Sequence, residues 1–252
     1  MNILQRYFVD KEYWLDEQVV IKGDDYHHIV NVMRMRVGDE VICNHPDKEA
    51  YLCSIDRIDQ QAIYLNKINR MTDQVELPVD ITLIQGLPKG DKLEWIVQKS
   101  TELGVKKIIP LNTARSVVKW DIKKQAKKID RLKKIAKEAS EQSHRTDQPI
   151  IESLMTIKQL SAQIEEFDHL FVAYEETTRQ IKTDKLYTYL ENIKPGQSVA
   201  IVIGPEGGLT EEEIEQLYAA QFKAVRLGPR ILRTETAPLY FLSVMSLLFE
   251  ES

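Results

Sequence analysis

Three glycines, a proline and a glutamate follow directly on an apolar run in VAIVIGPEGGLT, residues 199–210, and ligand chemistry can be placed there first. Val199 through Ile203 read as a buried strand. Glycines at its carboxyl end let a ligand approach the main chain, and open α/β sheets hold their ligands at that end. Part of the segment serves folding. Thr210 and Glu213 have capping-box spacing, and Leu209 with Ile214 fits the accompanying hydrophobic staple. A tight strand-to-helix connection would use the same glycines, so Gly204 to Gly208 stand as ligand candidates beside that plainer reading. A second loop, LGPRILRTETAPLY at 227–240, carries Arg230 and Arg233 between a strand and a helix with Pro238 in its first turn. Arginine there suits a phosphate or a polar base edge, and exposed N–H groups suit a small ligand. Ion pairs to Glu206 or Glu235 would make the same arginines purely structural.

Other familiar chemistry is missing. The chain has no GxGxxG dinucleotide turn, no GxxxxGK[ST] phosphate loop, no GxSxG elbow and no HExxH helix. Cys43 and His45 would share a strand face with Cys53 on a neighbour, a spacing a metal could use. Buried thiols in a small β-domain explain them as well, and no metal is expected.

These loops need elements to hold them. The first seventy residues are β-prone at 3–8, 41–44, 50–58 and 62–66, with a helix predicted over 24–35 from the spacing of Tyr26, Ile29, Val30 and Met33. A small barrel or curled sheet is the economical arrangement. The polar stretch 70–78 marks a boundary, giving domains 1–72 and 73–252. Beyond it strands at 80–87, 106–111, 169–173, 199–203 and 223–227 alternate with helices at 91–103, 157–167, 185–193, 210–221 and 237–250. That alternation is the signature of an α/β domain with a mainly parallel sheet.

The chain has 252 residues, 43% hydrophobic and 29% charged, which excludes a disordered tail protein and leaves room for two unequal domains. No run approaches the roughly 18 to 20 apolar residues that span a bilayer, and the opening MNILQRYFVDKEYW has no signal-peptide core. Two cysteines without a CxxC pair fit a reducing compartment, so a cytoplasmic location with no membrane partner is expected. The net charge of -5 argues against indiscriminate coating of nucleic acid. Residues 115–137 reverse that sign, with ten basic against two acidic residues. A helical wheel puts Ala126, Ile129, Leu132, Ala136 and Ala139 on one face, and Lys123, Lys124, Lys127, Arg131, Lys134 and Lys137 on the other. A solvated face is the plain reading of such a ridge; concentrated on an otherwise acidic chain, it is also suited to RNA phosphates. In the first domain Arg6, His27, His28, Arg34 and Arg36 form a smaller group of the same kind.

Residues 204–210 and 227–237, preceded by KGDKLEWIVQKSTELGV at 89–105 and HHIVNVMRMRVGD at 27–39, resemble the ribosomal RNA small-subunit uridine-N3 methyltransferase family of the SPOUT class. Four separated motifs match in order over nearly the whole chain. The resemblance implies a PUA-like N-terminal β-barrel and a SPOUT α/β domain with a deep trefoil knot. It further implies a homodimer with S-adenosylmethionine bound in the knot, and methyl transfer to N3 of one uridine in 16S rRNA within the assembled small subunit. Carried over by position, the cofactor cradle is Ile203, Gly204, Pro205, Glu206 and Gly207 on the first loop, with Leu227, Gly228, Ile231, Leu232, Arg233 and Thr234 on the second. A related SPOUT enzyme acting on another RNA or on a ribose 2′-hydroxyl, and a noncatalytic RNA-binding assembly factor, are the alternative readings. Methyl transfer needs in-line positioning and no nucleophile motif. N3 of uridine must lose its proton, so Arg233 is the candidate to stabilise the anionic base and Glu206 the weaker candidate to accept the proton. The base must also be unstacked to expose N3.

Overall fold

The computed structural model of the protein describes residues 4–72, 74–174 and 185–251. The chain forms two compact units, one of Met1–Glu76 with Ser140–Gln148, the other of Leu77–Ala139 with Pro149–Ser252. The sequence places a boundary between residues 72 and 73; the chain divides after Glu76, and Ser140–Gln148 joins the first unit.

In the first unit strands β1 (Arg6–Phe8), β2 (Gln18–Ile21), β3 (Glu40–Asn44), β4 (Ala50–Ile58) and β5 (Ile63–Arg70) form one sheet in the order β1-β3-β4-β5-β2. Only the β1–β3 pair is parallel. Register shifts between Leu52 and Cys53 and between Ile55 and Arg57 mark irregularities in β4, the device that lets a sheet curl. Its inner face buries Val19, Ile21, Val41, Cys43, Cys53, Ile55, Ile63 and Leu65. Strand β2 has no counterpart among the sequence expectations, because four residues between charged neighbours give too short a pattern. The helix expected over 24–35 is a single α-turn, α1 (Gly23–His27), that widens at once into a π-turn closed by Met33 N–H on the His28 carbonyl at 2.8 Å. The wider winding rotates the predicted stripe, so Ile29 is buried while Met33 is exposed. Cys43 and Cys53 are free and buried. His45 lies past the end of β3 and packs edge-on against Trp14, with ring centroids 4.8 Å apart. Among the described residues no group of three metal-ligating side chains comes together.

The second unit is a parallel sheet with helices over it. Its strands are β6 (Asp80–Gly86), β7 (Lys107–Asn112), β8 (Ile150–Ile151), β9 (Met155–Thr156), β10 (His169–Ala173), β11 (Ser198–Ile203) and β12 (Lys223–Val225). They run in the order β12-β10-β11-β6-β7, with β8 and β9 both pairing on β7. The helices are α2 (Lys92–Glu102), α3 (Ile122–Gln142), α4 (Ile157–Ser161), α5 (Leu186–Leu190), α6 (Glu211–Ala219) and α7 (Thr236–Glu250). Successive residues of β6 serve opposite faces: Ile81 and Leu83 pack with Ile96, Phe241 and Met245, and Ile84 packs with Val172, Val202 and Leu217. Leu93, Ile96, Val97 and Ser100 of α2 are buried together as their spacing predicts, and Gly104 ends that helix with φ +84°. The helix expected over 157–167 breaks after Ser161 and resumes only as a short 3₁₀ turn at Ile164–Glu166. On α3 Ile129, Leu132, Ala136 and Ala139 are buried, whereas Ala126, expected beside them, is exposed. Among the described residues no helix is long and apolar enough to cross a membrane.

Candidate active site

Strands β6, β11 and β12 deliver three chain ends to one side of the sheet, and a cavity of about 620 Å³ opens there. Its floor continues the core through Ile203, Val225, Leu227 and Ala237. The first wall is the turn after β11. Thr210 and Glu213 anchor it as predicted: the Thr210 hydroxyl accepts from the Glu213 amide at 3.2 Å, and the Thr210 amide donates to the Glu213 carboxylate at 2.9 Å. Close chain approach demands the glycines. A Cβ on Gly86 would stand 2.6 Å from Pro205 Cδ, and one on Gly207 would stand 3.1 Å from the Arg115 carbonyl. At Gly204 a Cβ would press on Gly208 at 3.3 Å, into the turn itself and not into the cavity.

The second wall is the irregular chain after β12. The buried Thr234 hydroxyl donates to the Gly204 carbonyl at 2.7 Å and accepts from Gln85 Nε2 at 2.9 Å. One hydroxyl therefore ties the two loops to each other and to the end of β6. A second tie runs through Lys92, whose ammonium lies 2.9 Å from Glu206 Oε1 and 3.1 Å from Glu235 Oε2. The ion pairs anticipated for the arginines are thus made by a lysine from the 89–105 motif. Partial burial pushes both carboxyls up, but Lys92 and neighbouring backbone amides outweigh it and hold them below the usual carboxylate range. Both Glu206 oxygens also receive the Lys89 amide, at 3.2 and 3.3 Å. Lys92 and the Lys89 amide thus occupy the carboxylate that the sequence offers as the weaker candidate proton acceptor.

Of the eleven residues carried over as the cradle, all but Gly228 line the cavity. Gly228 has φ +78° and its Cβ position faces the Tyr240 hydroxyl at 3.4 Å, so its glycine answers backbone conformation. Arg233 is exposed on the cavity wall. Sequence reasoning did not bring Lys92, Arg115 and Tyr174 to this cavity; Lys92 opens α2, Arg115 follows β7 and Tyr174 follows β10, each distant in sequence from the two loops. Of the residues assigned to RNA, Lys123, Lys124, Lys127 and Lys134 are exposed along α3. Arg131 is held by Glu94, with Nε 2.6 Å and Nη2 2.7 Å from the carboxylate oxygens. In the first unit Arg34 and Arg36 are exposed, but His28 bonds the Tyr7 hydroxyl at 2.9 Å. Arg6 is buried and donates to Asn44 at 3.1 Å, so it is a structural residue and not a phosphate contact.

The Gly86 contact gives a direct expectation. Gly86→Ala must displace Pro205 or β6, an overpacking cost of about 1–3 kcal/mol. A chain of this size should melt about 2–4 °C lower per kcal/mol. An unchanged melting curve would mean that Pro205 gives way freely.

An RNA methyltransferase domain model matches residues 75–246, and an RNA methyltransferase PUA domain model matches residues 21–68. Ribosomal RNA small subunit methyltransferase E of Bacillus subtilis is 45% identical over 96% of each chain. The protein of the same name from Synechocystis is 29% identical over 97% of this chain and 78% of its own. The crystal structure of ribosomal RNA small subunit methyltransferase E from Neisseria gonorrhoeae, bound to S-adenosyl methionine, superimposes with a TM-score of 0.85 at 29% identity over 98% of each chain. Sequence and architecture agree from end to end: the chain belongs to the ribosomal RNA small subunit methyltransferase E family, in which an RNA methyltransferase domain follows a PUA domain.

Proposed function

We propose that the protein transfers a methyl group from S-adenosylmethionine to N3 of a uridine in 16S rRNA, acting in the cytoplasm on the assembled small subunit as a homodimer. The observation that carries this reading is the cavity between two loops that the Thr234 hydroxyl fastens together. Its residues fit the cofactor. The volume lies within the range of small-molecule sites, the floor is apolar enough for an adenine, and the turn at 204–208 lines one wall. Ile203 to Gly207, with Leu227 and Ile231 to Thr234, would hold it. When bound, it supplies an electrophilic methyl on a sulfonium.

Everything else falls to the chain. The loops exclude water from the cavity floor and fix the direction from which a base can approach. The Arg233 guanidinium would bear on the uracil as N3 gives up its proton and negative charge spreads over N3 and the two carbonyl oxygens. Lys123, Lys124, Lys127 and Lys134 on α3, with Arg34 and Arg36 of the first unit, offer charge to RNA phosphates. Arg131 contributes less, being paired with Glu94. On α7 Leu247 is 59% exposed on the same helix face as half-buried Tyr240 and Val244, an apolar strip suited to a second copy of the chain. Threading of the C-terminal segment as a trefoil knot belongs to the same proposal and agrees with the Thr234 loop lying against Gly204 and Gln85.

The test is transfer of labelled methyl from S-adenosylmethionine to small subunits purified from cells lacking the protein, followed by mapping of the modified nucleotide. Label at N3 of one uridine in 16S rRNA is expected. Label on a ribose 2′-oxygen or on another RNA would replace the N3 reading, and none at all would leave an RNA-binding role.

A further inference from the structure

We propose that Lys92 is a positioning residue: its ammonium locks the two cavity loops at the separation the cofactor requires. The proposal rests on the reading of the cavity as a cofactor site. Lys92 stands at the start of α2, immediately after the turn whose Lys89 amide already holds Glu206. From there it takes one carboxylate from each loop, Glu206 on the first and Glu235 on the second. Its ammonium hydrogen-bonds Glu206 Oε1 and reaches Glu235 Oε2 as an ion pair, and that buried oxygen has no hydrogen-bond partner among the described residues, so the Lys92 charge is what compensates it.

Three features separate this contact from an ordinary surface ion pair, which contributes little. Lys92, Glu206 and Glu235 are only 34%, 29% and 18% exposed, and all three are shared within one network. Lys92 and Glu206 themselves line the cavity, so a change in their spacing is a change in its shape. Without the lysine, two like charges would remain on loops that otherwise meet through one neutral bond, Thr234 to Gly204. The inner tie fixes where the loops touch; the outer tie fixes how far they open. Gly86 and Pro205 hold the first loop from beneath, which leaves the second as the loop that would shift.

The experiment is calorimetric titration of the full chain with S-adenosylmethionine, for wild type, K92M, K92R, E235Q and the K92M/E235Q double variant, with small-subunit binding measured in parallel. K92M should weaken cofactor binding about tenfold or more, with small-subunit affinity unmoved. K92R, which can still span both carboxylates, should restore most of it. The double variant should lose little beyond K92M alone, because both changes break the same lock. Wild-type affinity in K92M would overturn the proposal, as would losses in K92M and E235Q that simply multiply. Should K92M fold poorly, E235Q decides: unaltered cofactor affinity there overturns the proposal equally. A wild-type protein that does not bind S-adenosylmethionine overturns the cofactor reading and the proposal with it, an outcome distinct from normal wild-type binding with unaffected variants.

Discussion

Arg233→Ala should bind S-adenosylmethionine with most of its wild-type affinity yet transfer methyl about 100-fold or more slowly at saturating RNA and cofactor. The separation follows from what Arg233 does with its main chain and with its side chain. Its carbonyl accepts the amides of Thr236 and Ala237 at 2.9 and 3.0 Å and so starts α7, and alanine keeps both bonds. The neighbouring Thr234 fastens the loop, and that too survives. What disappears is an exposed guanidinium on the cavity wall. Losing N3–H leaves a uracil anion whose charge lies on N3 and the two carbonyl oxygens, and a preorganised cation there acts mainly on the transition state. Arg233→Lys should recover part of the rate, since a point charge replaces a planar fork. Single-turnover transfer in Arg233→Ala close to wild-type speed would remove the residue from the chemistry.

How far the sequence reveals this site depends on how local each feature is. The turn at 204–210 is legible because capping, staple and glycine requirement all lie within a dozen residues of one another. Strands such as β4 and β10 are legible for the same reason. The function of Glu206 is not, because its partner Lys92 lies 114 residues away and only folding shows which cation reaches it. Arg131 and Arg6 fail in the same manner. A wheel puts Arg131 on the polar face of α3 correctly, but Glu94 of α2 then occupies it. Arg6 carries a charge that sequence reasoning sends to the surface, and it is buried beside Asn44. Ala126 errs in the opposite sense, since an apolar face extends only as far as there is something to cover it. Elements of two to four residues, β2, β8 and β9, give no period to read.

The segment Ser140–Gln148 leads to the last expectation, because its place in the first unit depends on a buried charge. Arg145 is 3% exposed, and its guanidinium meets Glu76 with Nη2 2.6 Å and Nε 3.0 Å from one carboxylate oxygen. The other oxygen receives the amides of Thr146 and Asp147 at 2.9 and 3.0 Å, and Asn44 donates to the Arg145 carbonyl at 2.8 Å. Breaking a buried pair by removing one partner typically costs 3–5 kcal/mol, and Glu76 is 27% exposed, so water relieves part of the loss. Glu76→Ala should therefore destabilise the first unit by roughly 3 kcal/mol, at the lower end of that range. The unit supplies its own probe. Trp14, one of three tryptophans, donates to the Val9 carbonyl at 3.0 Å and packs on His45 and Tyr51. In a W95F/W120F background its fluorescence follows this unit alone, and the urea midpoint should fall by about 1–3 M for an m-value of ordinary size. Glu76→Gln should fall between, since an amide oxygen still accepts from the two backbone amides but brings no negative charge to Arg145. An unmoved midpoint in Glu76→Ala would mean that Arg145 is accommodated as well without Glu76, and that the apolar packing of the sheet holds the unit without this ion pair.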